Sequence, residues 1–198
     1  AILVVAQKGG IDLDRENEIT PRLRELPFDS HRKRMSTIHQ TNDGFSIAVK
    51  GAPKEVLELC THVRINGQDF ILDDSRRSQM MAANDDYARN GLRVLAVAYR
   101  KLPATDSDWK DQTPEEIEKD LTFLGLIARM DPPRPEVAEA IQQCHTAGVR
   151  IIMITGDYGL TAESIARRIG IVRSNDARVI TGLDLETGRI GIEGILVA

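Results

Sequence analysis

Residues 148–170 contain the clearest structural pattern in the second half of this chain and read Gly-Val-Arg-Ile-Ile-Met-Ile-Thr-Gly-Asp-Tyr-Gly-Leu-Thr-Ala-Glu-Ser-Ile-Ala-Arg-Arg-Ile-Gly. The run 149–154 is largely apolar and β-branched, which predicts a strand buried on both faces of a parallel sheet. A Thr-Gly-Asp turn at 155–157 interrupts it, and apolar residues at helical spacing follow. Open α/β sheets bind ligands beyond the carboxyl ends of strands, and helix N-termini there favour anions. The turn is a candidate phosphate site, and a plain Asp157 helix cap is the alternative.

The composition is that of an ordinary globular protein. The chain has 198 residues, enough for one large or two small domains, and 41% of them are hydrophobic. A net charge of −4 argues against a general nucleic-acid binder. The two cysteines and four histidines lack metal-ligand spacing, so we predict no metal site, no disulfide framework and a reducing compartment. No apolar run approaches the ~20 residues that span a bilayer. The apolar start lacks the features of a signal peptide, and the chain is expected to be a fragment.

The organisation of the chain changes near Leu121. Before it, the pairs Asp43-Gly44 and Asn66-Gly67 each separate two strand-like runs and predict hairpins. Helices are predicted over 1–8, 54–60 and 74–89, and a polar loop over 11–20. From residue 121, strand and helix patterns alternate, which is typical of a βαβ unit. We therefore predict an α/β protein overall, with an α+β domain and its antiparallel sheet over 1–120 and a parallel α/β domain over 121–198.

An aromatic residue beside a cluster of cations is the first candidate site. Phe28 ends a predicted strand, and the three cations Arg32, Lys33 and Arg34 follow it closely. Such an arrangement suits a nucleotide, with the ring on the base and the cations toward the phosphates. A core phenylalanine followed by a solvated basic loop is the alternative.

Two further cations lie at the end of a strand or within one. Lys50 ends a predicted strand beside Gly51, whose missing side chain admits close backbone approach. Arg93 lies in a strand otherwise rich in Leu, Val and Ala, where a charge needs a partner or a ligand. An exposed lysine and a polar strand edge are the alternatives. The proline-rich run 131–135 predicts a stiff joint, either a plain linker or a hinge.

Taken in order, these motifs resemble the cytoplasmic part of P-type cation-transporting ATPases, closest to the type II calcium and sodium/potassium pumps. The resemblance covers nearly the whole chain and implies a nucleotide-binding (N) domain over 1–120. Residues 121–198 would then be part of a haloacid-dehalogenase-like phosphorylation (P) domain. It rests on residues 28–36, Lys50-Gly51-Ala52-Pro53, Gly91-Leu92-Arg93-Val94-Leu95-Ala96, Asp131-Pro132-Pro133-Arg134, and Thr155-Gly156-Asp157 with Thr161-Ala162.

The resemblance also implies roles for individual residues. Phe28 would stack on adenine, and Leu95 would pack beside the nucleotide. Arg93 would reach the phosphates, and Asp131 with Arg134 would belong to the hinge. Three residues would line the adenine pocket, namely Lys33, Lys50 and Gly51. Three would hold and position the phosphoryl group, namely Thr155, Gly156 and Asp157.

The chain lacks two segments that the family uses for catalysis. These are the Asp-Lys-Thr-Gly-Thr segment with the phosphorylated aspartate, and a Gly-Asp-Gly-x-Asn-Asp segment that supplies a magnesium ligand. Membrane helices and the actuator domain are absent too. Ser30 stands where many calcium pumps carry an arginine near the phosphates.

The resemblance therefore implies a soluble piece from the cytoplasmic side of a multi-pass membrane ATPase, a hydrolase and translocase. The parent protein would use ATP and Mg²⁺ to move a cation. The chain itself would bind ATP or ADP and the rest of the pump, without turnover. A soluble haloacid-dehalogenase-type phosphatase and a non-catalytic nucleotide-binding module are the alternatives.

Overall fold

The computed structural model describes residues 2–103, 105, 108–130, 132–173, 179–181, 184 and 187. The described strands are β1 (Arg22–Asp29), β2 (Arg34–Thr41), β3 (Gly44–Gly51), β4 (Cys60–Ile65), β5 (Gln68–Ile71), β6 (Leu92–Pro103) and β7 (Leu121–Met130). The described α-helices are α1 (Ile2–Lys8), α2 (Leu13–Ile19), α3 (Pro53–Glu58), α4 (Asp74–Arg89), α5 (Pro114–Ile117), α6 (Pro135–Thr146) and α7 (Gly159–Arg168).

The seven strands form a mixed sheet in the order β1-β2-β3-β6-β7-β4-β5. The pairs β1/β2, β2/β3, β3/β6 and β4/β5 are antiparallel, and β4 pairs with β7 in parallel. This mostly antiparallel sheet with helices confirms the predicted fold class. Both predicted hairpins are also confirmed. In the second hairpin Asn66 (φ 50°) and Gly67 (φ 82°) adopt the left-handed conformations that a tight two-residue turn requires.

Among the described residues, a hydrophobic cluster fixes the sheet in place. Ile38 and Ile47 lie opposite each other on β2 and β3 and are fully buried. Leu57 of α3, Ile117 of α5 and Leu121 of β7 belong to the same cluster and are almost completely buried. Because each large aliphatic side chain contributes about 1.5–3 kcal/mol when fully buried, this cluster is the main source of stability for the sheet.

The chain divides into two compact units. The first unit comprises 1–84 and 94–129 and contains most of the sheet, and the second comprises 85–93 and 130–198. The strand predicted from residue 121 exists as β7, but it pairs within the sheet of the preceding strands instead of starting a βαβ unit. A functional division of the chain at residue 120 stays a prediction.

Two local expectations are wrong. Residues 149–154 form no strand, because a strand requires a hydrogen-bonded neighbour and no described strand lies beside them. Ile154 is accordingly 93% exposed. The predicted loop 11–20 contains α2, whose first turn is capped by Asp12. Its carboxylate accepts the backbone N–H groups of Asp14 and Arg15 at 3.1 and 3.2 Å.

The helices of the described segments are too short or too polar to traverse a lipid bilayer. The longest helix of the described residues is α4, with 16 residues.

Candidate functional site

The register of the sheet places several predicted site residues on one face of the first unit. Lys50 of β3 lies between Met35 of β2 and Val97 of β6. Side chains alternate along a strand, so these three share one face, and Leu95 lies on that face two residues before Val97. Lys50 is exposed, and Leu95 is half-buried.

Phe28 lies on the neighbouring strand β1, one residue before Asp29, which pairs with Arg34 of β2. The register of β1 and β2 shifts between Leu26 and Asp29, so exposure, and not strand alternation, distinguishes Phe28 from the buried Leu26. The ring is 65% exposed. The alternative of a core phenylalanine is wrong, since an exposed ring of this size lies outside the hydrophobic cluster. Phe28, Lys50 and Leu95 are called the sheet face below.

Lys33 and Gly51 meet through their backbones. The N–H of Ala52 donates to the carbonyl of Lys33 at 2.9 Å, which brings the end of β3 against the turn before β2. A side chain at Gly51 has no room there, because a Cβ would lie 2.6 Å from the oxygen of Lys33 and would overlap Arg34. Glycine is required here for close approach, as predicted.

The side chain of Lys33 is held by a carboxylate. Its Nζ lies 2.9 Å from Oε1 of Glu55 on α3. Partial burial on its own raises the pKa of Glu55. The hydrogen bond from Lys33, a backbone hydrogen bond and the charges of Lys33 and Lys54 outweigh that effect and lower this pKa below its ordinary value. The carboxylate is therefore ionised at neutral pH, and Lys33 faces it.

The prediction that the neighbouring arginines face phosphate groups is wrong. Nη1 of Arg32 lies 2.7 and 2.8 Å from the two carboxylate oxygens of Glu118, and Nε of Arg34 lies 2.7 Å from Oε2. The hydroxyl of Ser36 donates to Oε1 at 2.8 Å. Glu118 is completely buried, so both guanidinium groups turn inward to pair with it. Glu118, Arg32, Arg34 and Ser36 are called the carboxylate cluster below.

The turn between β1 and β2 has a second internal support. The carboxylate of Asp29 accepts the backbone N–H groups of His31 and Arg32 at 2.9 and 2.8 Å. These hydrogen bonds, with Arg32 first, lower the pKa of Asp29 below its ordinary value. The N–H of Lys33 donates to the carbonyl of Asp29 at 2.7 Å, and Lys33 adopts a left-handed backbone with φ 52°.

The second unit brings together three other predicted residues. Nη2 of Arg93 lies 2.6 Å from Oδ1 of Asp157, and the hydroxyl of Thr155 accepts the N–H of Asp157 at 3.1 Å. Asp157 is therefore engaged by Arg93, and the residue in the cap position of α7 is Tyr158. Gly156 has open space on its Cβ side.

Contacts from 85–93 hold the start of α7. The hydroxyl of Tyr158 donates to Oδ1 of Asp85 at 3.0 Å, and the hydroxyl of Thr161 donates to the carbonyl of Leu92 at the same distance. Burial and the hydrogen bond to Asp85 raise the pKa of Tyr158 above its ordinary value. These hydrogen bonds hold the start of α7, and with it the Thr-Gly-Asp turn, beside Arg93, even though 149–154 forms no strand.

The remaining predicted residues are Arg134 and Asp131. Arg134 is exposed and precedes α6 in its cap position. Asp131 lies outside the described residues. Within the described part of the chain, no group of three or more His, Cys, Asp or Glu side chains is placed to hold a metal ion.

Sequence reasoning missed the carboxylates that support these cations. Glu118 lies in a polar, proline-containing stretch where nothing distinguishes it from its exposed neighbours Glu115 and Glu116. Glu55 reads as an ordinary helix residue. The run of three cations was the available signal, because charges on consecutive residues cannot all face one ligand and some of them require partners in the protein.

The arrangement offers two kinds of chemistry. The sheet face presents an open aromatic ring, an aliphatic side chain and a lysine, which suit a planar base. The turn of the second unit presents a guanidinium group, a carboxylate and a hydroxyl. Guanidinium groups bind phosphate oxygens well, whereas a carboxylate only repels them.

Comparison with known proteins matches these features to one family. Residues 1–136 match the family model described as P-type ATPase, cytoplasmic domain N. Calcium-transporting ATPase 1 of Bacillus cereus is 36% identical over 186 residues, which make up 94% of this chain and 20% of that protein. Sodium/potassium-transporting ATPase subunit alpha-4 of Rattus norvegicus is 32% identical over 178 residues, or 87% of this chain and 17% of that protein.

The chain thus spans about a fifth of the length of these relatives. The extent of the family match and the level of identity confirm the resemblance deduced from the motifs. The chain belongs to the cation-transporting P-type ATPase family, and its residues 1–136 correspond to that family's cytoplasmic N domain.

Proposed function

We propose that this chain binds ATP or ADP through the sheet face of its first unit. The observation that supports this most directly is the exposure of Phe28 at the end of β1, two strands away from the face that Lys50 and Leu95 share. An aromatic ring this exposed contributes little to stability, but it suits adenine stacking. Lys33 and Gly51 would line the edge of the same pocket.

The second unit would contribute to the phosphate end of the nucleotide. Arg93 would bind phosphate oxygens, and Thr155 and Gly156 would hold the transferring phosphoryl group through a hydroxyl and an unhindered backbone. Asp157 would set the position of Arg93 through their ion pair. Arg134 and Asp131 would act as hinge residues. Phosphoryl transfer depends mainly on positioning and electrostatics, so residues without covalent roles matter for the rate.

For the whole protein we propose ATP hydrolysis through an aspartyl-phosphate, coupled to movement of a cation across a membrane. The relatives are named calcium-transporting and sodium/potassium-transporting ATPases. In this proposal the nucleophilic aspartate and the main Mg²⁺ ligands lie outside this chain. Mg²⁺ would offset charge on the phosphate oxygens. The chain would lie on the cytoplasmic side, with the actuator and membrane domains as its partners.

Isothermal titration with ATP and ADP tests the binding site. We expect saturable binding that Phe28→Ala and Lys50→Ala each weaken about tenfold or more. Phe70→Ala and Lys101→Ala serve as matched controls, because both remove an exposed side chain of the same type elsewhere on the sheet. Absence of saturable binding, or equal losses in the controls, would refute the site.

A second experiment addresses turnover. The 198 residues contain no Asp-Lys-Thr-Gly-Thr segment, so we expect no acid-stable phosphoenzyme after incubation with γ-labelled ATP and Mg²⁺. Label that remains on the chain after acid quenching would contradict this expectation. Release of phosphate from a small phosphoester would instead favour a phosphatase.

A further inference from the structure

The carboxylate cluster places three ionisable groups beneath the turn that joins β1 and β2. The side chains of Arg32 and Arg34 are only 16% and 12% exposed, and that of Glu118 is fully buried. Buried ion pairs often contribute no more stability than apolar residues of similar size. A buried group of this kind therefore needs an explanation other than stability, such as the fixing of a particular geometry.

The cluster holds both sides of the turn. Nη2 of Arg32 donates to the carbonyl of Pro27 at 2.9 Å, which fixes the peptide that leads into Phe28. Nη1 of Arg34 donates to the carbonyl of Arg32 at 3.1 Å, on the peptide that leads into Lys33. Two proposed nucleotide-binding residues are thus each attached, through one peptide group, to guanidinium groups that Glu118 holds.

Glu118 is itself anchored to the core. Its N–H donates to the carbonyl of Pro114 at 2.8 Å, and its neighbour Ile117 is buried. Three residues later, the N–H of Leu121 donates to the carbonyl of Leu59 at 3.0 Å. The hydrophobic cluster therefore sets the position of the carboxylate. The two arginines connect the turn to this carboxylate and thereby fix the position of the turn.

We propose that Glu118 is a positioning residue of the nucleotide site, acting through Arg32 and Arg34 to hold Phe28 and Lys33 in place. The expected effect on nucleotide binding rests on the proposed function. The proposal assigns to a buried carboxylate, which would not itself touch the nucleotide, control over the geometry of the proposed adenine-binding turn.

The direction in which Glu118→Gln changes ATP affinity distinguishes a positioning role of Glu118 from an effect of its charge. Removal of a negative charge near an anion site favours ATP on electrostatic grounds alone. Displacement of the turn that carries Phe28 and Lys33 instead weakens ATP binding. It also weakens adenosine binding, because Phe28 no longer stacks on the base. We expect Glu118→Gln to weaken both ATP and adenosine about tenfold, while Glu115→Gln on the exposed side of α5 has no effect.

Two additional measurements separate this role from a general loss of stability. In the Phe28→Ala background the effect of Glu118→Gln on adenosine binding should largely disappear, because the residue through which it acts is gone. Limited trypsin digestion of the native protein should cleave after Arg32, Lys33 or Arg34 several-fold faster in Glu118→Gln than in Glu115→Gln. If Glu118→Gln fails to fold, Arg32→Lys keeps the charge, removes the link to Pro27 and is expected to act in the same direction.

The outcomes are distinct. Unchanged or tighter binding in Glu118→Gln, additive losses with Phe28→Ala, or unchanged cleavage of the turn would each overturn the inference. If the wild-type chain shows no saturable nucleotide binding, the proposed function fails, and the role of Glu118 in binding fails with it. The cleavage rates then still decide whether Glu118 holds the turn.

Discussion

Arg93 and Asp157 form an ion pair within the second unit, with 2.6 Å between Nη2 and Oδ1. Both residues are proposed to act at the phosphate end of the nucleotide, yet they carry opposite charges. The side chain of Asp157 is 16% exposed and that of Arg93 is 43% exposed, so the carboxylate is the more enclosed partner. A phosphate group that binds Arg93 must share the guanidinium with Asp157.

Arg93→Gln is expected to separate phosphate binding from base binding. Loss of the guanidinium should weaken ATP about tenfold and change adenosine binding less than about twofold, because adenosine has no phosphate. Calorimetric titrations of both ligands measure the difference. Arg89→Gln is the control, since Arg89 is an exposed arginine paired with Asp86 on α4. Equal losses for ATP and adenosine would assign Arg93 a role in folding instead.

Gly51→Ala is expected to destabilise the first unit by about 1–3 kcal/mol, since the added methyl group overlaps a packed backbone. The Cβ would lie 2.6 Å from the carbonyl oxygen of Lys33 and would collide with Arg34, and backbone atoms cannot rotate away. Urea unfolding monitored by circular dichroism measures the change. Gly156→Ala is the control for stability, because its Cβ would meet no atom within 4 Å. A wild-type midpoint in Gly51→Ala would show that the turn has room to move.

Local sequence patterns predicted most helices and hairpin turns well. Which segments form strands, and where each strand lies in the sheet, depends on pairing between distant parts of the chain. The hairpin at Asn66-Gly67 follows from two residues that tolerate left-handed backbone, which is a local property. The absence of a strand at 149–154 could not be predicted, because a strand depends on a neighbour that may lie anywhere in the chain. The sheet position of β7 beside β4 is likewise a long-range pairing.

In the candidate site, too, local sequence features could be predicted and long-range contacts could not. The sequence motifs identified Phe28, Lys50 and Arg93, whose residue types suit a nucleotide. They did not reveal which cations face the protein. Arg32 and Arg34 turn inward because Glu118, more than 80 residues later in the chain, is buried beside them. Only the folded chain brings these charges together.

The acid stability of the turn is expected to depend on Asp29. Its pKa is lowered in the folded state, so the unfolded chain binds this proton more readily. The contribution of Asp29 is present above its ordinary pKa of 3.8 and is lost as the pH falls through the lower folded value. Asn in its place accepts the same backbone hydrogen bonds without titrating. The urea midpoint of Asp29→Asn should therefore fall less steeply than that of the wild type below about pH 4.

The comparison needs a control for general acid effects. Asp111→Asn removes an exposed carboxylate elsewhere in the first unit. Its midpoint should follow the wild-type pH dependence. Parallel curves for the wild type and Asp29→Asn would show that the turn does not contribute to the acid transition.

Glu55→Gln is expected to strengthen ATP binding about two- to threefold at low ionic strength, because it removes a carboxylate next to the proposed site and frees Lys33. Nζ of Lys33 and Oε1 of Glu55 are 2.9 Å apart, and the lysine side chain is 58% exposed. Because the lysine end of this pair is exposed, the pair contributes only about 0–1 kcal/mol, so the fold should be unaffected. Titrations at low and high salt measure the effect, which added salt should suppress.

The variant Lys33→Gln provides the decisive comparison for this pair. If Glu55 acts by holding Lys33, then Glu55→Gln in the Lys33→Gln background should lose most of its gain in ATP affinity. A gain that persists in that background would mean that the carboxylate repels the phosphates directly. Weaker ATP binding in Glu55→Gln alone would show the opposite relation, in which the ion pair holds Lys33 where the nucleotide needs it.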